Sequence, residues 1–597
     1  MSNPGDGATA WRESSAHPRS WATDILAMVN RLSGRPLFVA VAVLPLAVVM
    51  GLLVVIVWTS FVDDLTAGLE STPNWRHYEQ IFTDPLIYTA LWNTFWFVAV
   101  TVIVAMTFGL AAAWLVERTD LPGKKTIYSL MTSVLLFPTI FLAMGWMFFL
   151  HPRIGVLNTW LMRSFHLATA PISIANVVGM GWVEGLGLAS LAFVIVSPIL
   201  RALNAALDEA ATVHGIGRWW SFVTITVPLI WPALIAGAIY IAVIAIAAFE
   251  VPAVIGLGSK IYTFSTLVYI KIAPEMGLPD YGVVSAVSVV LILISLLLSW
   301  WYFRVIRLSH RYEVVRGRSY QMRLIPLGRL RWLGYALFGT YFSLACLLPL
   351  LMMIWVALLP YVQPFSAQAF HHLSLRHFEN IQWGLLWRST QHTLILMATV
   401  PTLALIFGAA VSWVVVRSGM RWRFLFDWMA FLPHAVPNLI FAIAMVIVAL
   451  DVVPKSISFY GTIFILMAVY VLVRISLVTR VLNGALVQIH RELEEAAHVS
   501  GLSTFVTMIK VTVPLLLPAL ANLWIWTALL TYRELTMAAF LATHDNITLP
   551  VLVWEQWNSG SGGSAAAISL LFIALFLPLI GLYWGLRGRV SIGGPEA

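Results

Sequence analysis

The sequence predicts an all-α polytopic membrane protein in which about twelve transmembrane helices form two homologous halves of six. Three observations lead to this prediction. Hydrophobic residues make up 60% of the chain and charged residues 10%, whereas a soluble domain carries about 25% charged residues. Apolar runs of about 20 residues, the length that crosses a bilayer, recur along the chain. A polar stretch, Glu209–Gly215, occurs again as Glu495–Gly501, and a registered repeat of this kind indicates duplicated halves.

Apolar runs long enough to cross a bilayer fall into two sets of equal size. In the first half they cover 37–62, 88–115, 126–150, 183–203, 233–256 and 282–304. In the second half they cover 332–359, 389–416, 427–450, 459–481, 519–542 and 565–586. Glu184 and several glycines interrupt the fourth run.

The basic residues predict how these spans are oriented. With the N-terminus inside, most Lys and Arg residues fall on the cytoplasmic side, as the positive-inside rule requires; Arg474 is counted among them. Residues 1–36 are polar and lack the apolar core and cleavage site of a signal peptide, so we expect a cytoplasmic tail. The C-terminus and both copies of the repeated stretch also fall inside. The net charge of +8 follows from this bias, and no nucleic-acid partner is expected because no nucleic-acid-binding motif is present.

The repeated stretch predicts a short cytoplasmic helix between the fourth and fifth spans of each half. Its two alanines allow another surface to approach closely. Gly215 and Gly501 can adopt the left-handed conformation that ends a helix. A Pro-x-x-x-Pro segment follows each copy, at Pro228–Pro232 and at Pro514–Pro518, and proline suits the first turn of the helix that re-enters the membrane.

This pattern resembles the Glu-Ala-Ala loop of ABC importer permeases, E-A-A-x-x-x-G followed by a proline-rich re-entry. The resemblance covers nearly the whole chain after residue 36. It implies that each loop is a coupling helix that docks into a cleft on a separate ATPase subunit. The coupling residues that it assigns are Glu209, Ala210, Ala211, Gly215, Glu495, Ala496, Ala497 and Gly501. Glu209 and Glu495 could pair with basic groups of the partner or favour the positive end of their own helix; both roles stay open.

Further repeated segments divide the chain into domains. Trp75–Ile81 matches Leu375–Ile381, and Asn93-Thr94 matches His392-Thr393, at nearly the same spacing. We therefore expect a parallel duplication about an axis normal to the membrane. The expected units are a tail at 1–36, a six-helix permease domain at 37–306, a basic cytoplasmic linker at 307–331 and a second six-helix permease domain at 332–590.

Two halves on one chain resemble the permeases of the ferric-iron, thiamine and aminoethylphosphonate type. The basic linker and Arg533-Glu534-Leu535 resemble the ferric-iron branch most. The resemblance implies a permease of the bacterial inner membrane that takes ferric iron from a periplasmic solute-binding protein. The alternatives within this class are thiamine, a polyamine or aminoethylphosphonate. The alternative from another class is a twelve-span secondary transporter, which requires coupling carboxylates near the middle of the bilayer.

The sequence gives no sign of its own catalysis. It contains no phosphate loop of the form Gly-x-x-x-x-Gly-Lys-Ser/Thr and no residue arrangement typical of an enzyme. Its single cysteine, Cys346, excludes a disulfide framework. We therefore expect no cofactor and no ATPase site, with ATP hydrolysed by two copies of a partner subunit.

Ionisable residues inside spans are costly and mostly face a cavity or a partner group. Glu250 in the fifth span and Arg533-Glu534 in the eleventh occupy comparable places in the repeat. They are expected in the outer half of the membrane, where they could line a gate or a pathway. The alternative is a structural ion pair between Arg533 and Glu250, and the sequence does not decide between the two.

Two prolines and several histidines complete the predicted pathway and its alternatives. Pro138 and Pro437 free backbone carbonyls at matching points of the third and ninth spans, as kinks that either line a pathway or serve packing. His434 beside the second kink could touch the solute or be a satisfied core histidine. External His377 has a repeat partner in His77, which favours a structural role. We expect no metal site there or at His371 and His372, since carboxylate- or Cys-rich surroundings are missing.

Overall fold

The computed structural model describes residues 34–62, 72–135, 137–202, 211, 213–215, 217–274, 279–309, 324–454 and 456–591. Within these residues the predicted all-α architecture is confirmed. The helices of the first half are α1 (Gly34–Thr59), α2 (Arg76–Thr83), α3 (Pro85–Arg118), α4 (Lys124–Val134), α5 (Thr139–Leu150), α6 (Val156–Phe165), α7 (Val177–Ala202), α8 (Arg218–Ser221), α9 (Val227–Ala247), α10 (Phe264–Ile272) and α11 (Tyr281–Ser309).

The second half has a similar order, without a counterpart of α6. Its helices are α12 (Arg331–Phe342), α13 (Leu348–Ala357), α14 (Ala367–His371), α15 (Arg376–Glu379), α16 (Trp383–Val416), α17 (Arg423–Ala435), α18 (Asn438–Ile447), α19 (Ile463–Gln488), α20 (Arg491–Val499), α21 (Thr504–Thr507), α22 (Val513–Tyr532), α23 (Ala538–Leu541), α24 (Leu549–Asn558) and α25 (Gly562–Ser591). Single π-helical turns join several of these helices, for example Ser343–Leu347 between α12 and α13.

Among the described residues, nine helices are long and apolar enough to cross a membrane, and three bent helix pairs raise this number to at most twelve. Two of the bent pairs are the predicted third and ninth spans. The axes of α4 and α5 differ by 86°, and those of α17 and the segment from Asn438 by 97°. Pro138 and Pro437 stand at the two breaks with extended backbone (ψ 129° and 131°). Each break therefore coincides with a residue that cannot continue the preceding hydrogen-bond ladder.

The fifth and eleventh spans end earlier than the sequence predicts. α9 stops at Ala247, because Ala248 leaves the helical region (ψ 129°), and α22 stops at Tyr532. The predicted ends at residues 256 and 542 were therefore wrong. Glu250, Arg533 and Glu534 lie just beyond the two helix ends and not on a continuous helix.

The chain after the fifth span re-enters the same side of the protein. The Phe264 N–H donates to Thr94 Oγ1 (2.8 Å), which places the start of α10 well inside the length of α3. α10 then runs antiparallel to α3 until Lys271 meets Asp84, just before the start of α3 (Nζ–Oδ2 3.3 Å). The third bent pair, Pro252–Ser259 with α10, is therefore a re-entrant segment, which the sequence does not predict.

The second half has its own re-entrant segment, which is bonded to the second span of that half in the same way as the first segment is to α3. The Leu549 N–H donates to Thr393 Oγ1 (2.9 Å), and His392 Nδ1 donates to the backbone oxygen of Ile547 (2.9 Å). Asn93, which aligns with His392, likewise donates to the first re-entrant segment (2.9 Å). The repeated dipeptides thus fasten re-entrant segments to the second span of each half.

In each half, one histidine packs against the last span. His77 Nε2 donates to a backbone oxygen just beyond α1 (3.2 Å), and His377 Nε2 does the same beyond α13 (2.9 Å). Their rings lie against Gly282 and Gly563, so closely that a Cβ on either glycine would overlap the imidazole. His77 and His377 therefore have matching packing roles, while His371 and His372 are exposed.

The first span of each half packs largely against the opposite half. α1 contacts α16, α18 and α17 of the second half, and α13 lies along α5 of the first half. Phe38 stacks on Trp413 (ring centroids 4.7 Å apart), and the Tyr341 hydroxyl bonds Ser190 Oγ at 2.8 Å. The two predicted domains are therefore interlocked, because each contributes one span to the other's core.

The end of the linker is fastened to the first half. Ile325 forms an isolated backbone bridge with Thr119, and the Leu327 N–H donates to Asp120 Oδ1 (2.8 Å). Arg331 donates to the other oxygen of Asp120 and lowers the pKa of that carboxyl by stabilising its charged form. Residues 310–323 of the predicted linker lie outside the described part of the chain.

Candidate functional site

The second repeated stretch forms the predicted short helix, α20 (Arg491–Val499). Gly501 ends it with a φ of 81°, and Gly215 has a φ of 74° in the first copy. The Leu502 N–H donates to Ala497 O (3.1 Å) and the Gly501 N–H to His498 O (2.9 Å). This pair of bonds is the Schellman arrangement, which needs a left-handed residue at the glycine position. The left-handed conformation predicted for both glycines is confirmed.

α20 is fixed to the end of the eighth span by the residue before the predicted glutamate. Glu494 Oε1 lies 3.1 Å from Arg417 Nε, and the Thr512 hydroxyl donates to the same oxygen (3.2 Å). Arg417 also donates to two backbone oxygens at the end of α19, and its side chain is 5% exposed. Glu494 thus has the anchoring position, which sequence reasoning missed. Glu495 and Ala496 are exposed, whereas Ala497 is buried.

The first copy is described only in part. Ala211 is buried, matching Ala497, while Glu209 and Ala210 lie outside the described residues. Val213 is 85% exposed and Val499, its partner in the repeat, is 90% exposed. Each loop therefore has a valine on a surface that the described part of the chain leaves uncovered.

A central cavity of about 410 Å³ lies between the two halves. Its lining contains every residue predicted for the pathway except Pro138, whose neighbours Phe137 and Thr139 contribute instead. The ionisable and aromatic residues that line it are Phe137, Glu184, Tyr240, Phe249, Glu250, His434, Arg474, Trp526, Arg533 and Glu534, with Pro437 beside them. The structure thus brings together residues that are far apart in the sequence.

Arg474 was wrongly assigned to the cytoplasmic side. It lies well inside α19, where its guanidinium pairs with Glu534 Oε2 at 2.7 Å. Both side chains are about 90% buried, with 11% and 10% exposed, and Glu534 Oε1 also accepts from the Met537 N–H (3.3 Å). Arg474 and Glu534 therefore neutralise each other inside the second half.

Glu250 and Arg533 bond to backbone groups on either side of Pro138. Glu250 Oε2 accepts from the Thr139 hydroxyl and from the Ile140 N–H (2.9 Å), so it caps the start of α5. Arg533 reaches across from the second half and donates to Leu135 O (2.7 Å), one of the carbonyls near the proline break. Instead of the ion pair that was one of the two alternatives for these side chains, the structure has two separate contacts to the same break.

His434 and Glu184 occupy the remaining wall of the cavity. The His434 ring stacks on Tyr240 of the opposite half (centroids 5.1 Å apart, interplanar angle 29°). Glu184 on α7 is 4% exposed, and its Oε2 has no hydrogen-bond partner. The sequence showed Glu184 only as an interruption of an apolar run; its isolated charge in a span was the signal that could have identified it.

Four aromatic rings lie between this cavity and a second one. Phe249 lines the central cavity, whereas Tyr269 and Trp554 line a separate outer cavity of about 380 Å³. Phe249 contacts Tyr269 (5.3 Å), Phe540 (5.6 Å) and Trp554 (5.9 Å between centroids). Because Tyr269 and Trp554 stand on the two re-entrant helices, the rings join the re-entrant segments of both halves between the two cavities.

A duplicated membrane bundle with a polar cavity between its halves defines a membrane transport protein. Residues 402–591 match the model of the family described as binding-protein-dependent transport system inner membrane component. This match to the second half of the chain, with the relatives below, supports the family of binding-protein-dependent ABC importer permeases. The chain is accordingly a multi-pass protein of the inner membrane, in a family of permease components that are not themselves ATPases.

Curated relatives extend the similarity beyond the matched residues. The chain is 22% identical to the Fe(3+)-transport system permease protein FbpB 2 of Haemophilus influenzae, over 83% of this chain and 90% of the relative. It is 22% identical to the ferric transport system permease protein FbpB of Actinobacillus pleuropneumoniae, over 70% and 60% of the two chains. It is 27% identical to the sulfoquinovosyl glycerol transport system permease protein SmoG of Agrobacterium fabrum, over 46% and 92%.

Proposed function

We propose that this chain is the permease subunit of an ABC importer for ferric iron, driven by two copies of a separate ATPase. The observation that carries the proposal is the pair of repeated loops. α20 is anchored to the membrane helices through Glu494 and Arg417 (3.1 Å) and presents Val499 outward. A buried ion pair on one side and an exposed apolar side chain on the other suit a helix that transmits force from a bound partner.

The coupling residues act in two groups in this proposal. Ala211 and Ala497 pack the loops against the chain, and Gly215 and Gly501 end the helices. Val213 and Val499 enter the ATPase surface, where burying a valine yields about 1.5–3 kcal/mol. The exposed Glu495 and Ala496, with Glu209 and Ala210 as their counterparts in the first copy, complete that surface. Both loops, and both termini, lie on the cytoplasmic side.

Transport proceeds by alternating access in this proposal. With the four rings in contact, the central cavity is closed toward the outside. Closure of the ATPase dimer moves the two loops together and separates the re-entrant segments, so that a periplasmic binding protein releases its solute into the cavity. Glu250, Arg533, Glu534 and His434 line the pathway, and the breaks at Pro138 and Pro437 allow its walls to move.

Ferric iron is proposed as the solute because two relatives over most of this chain carry ferric names. The test is uptake into proteoliposomes that contain the full chain and an ATPase subunit, with an iron-loaded periplasmic binding protein outside. ATP-dependent entry of ⁵⁵Fe³⁺ from the loaded binding protein is expected. Entry of thiamine, spermidine or aminoethylphosphonate without iron would overturn the solute, and uptake without any ATPase would overturn the class.

The coupling surface is tested in the same vesicles by Val499→Asp and Val213→Asp. A charge at an interface centre costs at least about 2 kcal/mol, so ATP-driven uptake and ATPase binding should each fall at least about tenfold. Leu373→Asp, a similar change at an exposed position (43%) of the opposite face, is the matched control. Undiminished ATPase binding by both valine variants would contradict the docking surface.

A further inference from the structure

Within the central cavity, Glu184 differs from every other charged residue of the lining. Arg474 and Glu534 pair with each other (2.7 Å). Glu250 accepts two hydrogen bonds, and Arg533 donates to a backbone carbonyl. Glu184 Oε2 has no such partner, although the residue is only 4% exposed. A buried carboxylate oxygen without a partner is costly, and its cost is explained if the partner is a ligand.

The surroundings of Glu184 favour a positively charged ligand. Glu184 interacts electrostatically with Glu250 and Arg533, so the wall of the first half carries two carboxylates against one guanidinium of the opposite half. Both hydrogen bonds of Glu250 use Oε2, which leaves Oε1 as its second available oxygen. When both carboxyl groups are ionised, a cation between them would relieve their mutual repulsion.

We propose that Glu184, with Glu250 Oε1 beside it, binds the transported cation in transit through the central cavity. Carboxylate oxygens are hard ligands, which select hard cations. Within the described residues, no group of three or more His, Cys, Asp or Glu is arranged to hold a metal ion. A site of two carboxylates therefore binds the cation weakly. Transport requires weak binding, because the solute must also leave the site.

This inference deepens the proposed ferric-iron function and rests on it. The names of the relatives do not settle the sign of the solute, because they include ferric iron and sulfoquinovosyl glycerol. In this proposal Glu184 favours a cation. It also separates the two solute-binding oxygens from Arg533 and from Glu250 Oε2, whose bonds at the Pro138 break hold the cavity wall.

The test uses Tb³⁺ as a hard trivalent probe on the purified full chain in dodecyl maltoside. Trp526 lines the cavity and can sensitise Tb³⁺ luminescence at short range. Saturable emission is expected for the natural chain, and the affinity should fall at least about tenfold in Glu184→Gln, since one charged ligand is worth about that factor. Glu184→Asp should recover part of the affinity. Glu555→Gln, at the outer cavity, is the matched control and should bind as the natural chain does.

Two further measurements, on Trp526→Phe and on iron import by Glu184→Gln, test the position and the role of the cation site. Trp526→Phe changes no carboxylate, so it should reduce the emission while leaving Tb³⁺ affinity, measured by calorimetry, unchanged; full emission would place the cation elsewhere and overturn the proposal. Glu184→Gln that binds Tb³⁺ and imports ⁵⁵Fe³⁺ as well as the natural chain would show a merely structural carboxyl. If the chain binds Tb³⁺ through Glu184 but the complex imports no ferric iron, the cation site stands and the ferric assignment fails. If the complex imports ferric iron but the chain does not bind Tb³⁺ through Glu184, the ferric assignment stands and the cation site fails.

Discussion

The two halves agree in their packing contacts and differ at the cavity. His77 and His377 pack against matching glycines, and Thr94 and Thr393 accept a backbone N–H at the start of matching re-entrant helices. At the cavity, the first half contributes Glu184 and Glu250, whereas the second half contributes both arginines and Glu534.

The fourth span of the first half and the corresponding span of the second half also carry different residues at equivalent positions. Tyr470 of the second half stands where the first half has Glu184, and Arg474 stands where it has Leu188. The backbone contacts that fix the bundle are therefore duplicated, while the side chains facing the cavity are not. Duplication preserves what the fold requires, and the asymmetry is concentrated where a solute passes.

The largest effect is expected where the second half carries a buried ion pair. Arg474→Met removes one partner and leaves Glu534 buried and unpaired, which costs about 3–5 kcal/mol. The thermal midpoint of the full chain in detergent should fall steeply. The double variant Arg474→Met with Glu534→Gln removes the unpaired charge and should recover much of the loss.

If Arg474→Met were as stable as the natural chain, the Arg474–Glu534 pair would contribute nothing to the stability of the second half, and this difference between the halves would have no energetic consequence. Leu188→Met is the matched control, since it makes the same side chain at the aligned position of the first half and exchanges apolar groups of similar volume.

A smaller effect, equal in the two halves, is expected at the histidine contacts. Gly282→Ala and Gly563→Ala each place a methyl group against an imidazole ring, and overpacking of this kind costs about 1–3 kcal/mol. Both variants should lower the thermal midpoint by similar amounts. Gly384→Ala is the control, because a Cβ there meets nothing within 4 Å. A loss confined to one half would show that the repeat is not mechanically equivalent at these contacts.

Local features of the fold could be predicted from the sequence, and non-local ones could not. Gly501 ends its helix and Gly215 has the predicted left-handed conformation, and Pro138 and Pro437 stand at the breaks, because a single residue determines each of these conformations. Arg474 was misassigned because hydropathy treats an arginine near the end of an apolar run as a loop residue. Its partner, Glu534, is supplied by another helix, and no local pattern records that pairing.

The exchange of the first spans and the re-entrant segments had no local signal either. α10 is too short to span a bilayer, and its position depends on Thr94, which is remote in the sequence. Glu184 was visible as a charge in an apolar run, but only the cavity shows that its carboxylate lacks a partner. The site is therefore less predictable than the fold, since it is assembled from several spans of both halves.

The smallest effect tests the symmetry of the re-entrant caps. In each half the threonine hydroxyl donates to its own helix and accepts one backbone N–H, with N···O distances of 2.8 Å at Thr94 and 2.9 Å at Thr393. Thr94→Val and Thr393→Val keep the side-chain shape and leave one buried N–H without an acceptor, at a cost of about 1–3 kcal/mol. Hydrogen exchange at Phe264 and Leu549 should accelerate in the respective variant alone, whereas Thr94→Ser and Thr393→Ser keep the hydroxyl and should retain the protection. Because the re-entrant helices carry Tyr269 and Trp554, a loosened cap should also weaken the aromatic contact between the cavities. If exchange at both sites stayed at the natural rate, the threonines would not hold the re-entrant segments, and the matching contacts would be a by-product of the shared backbone.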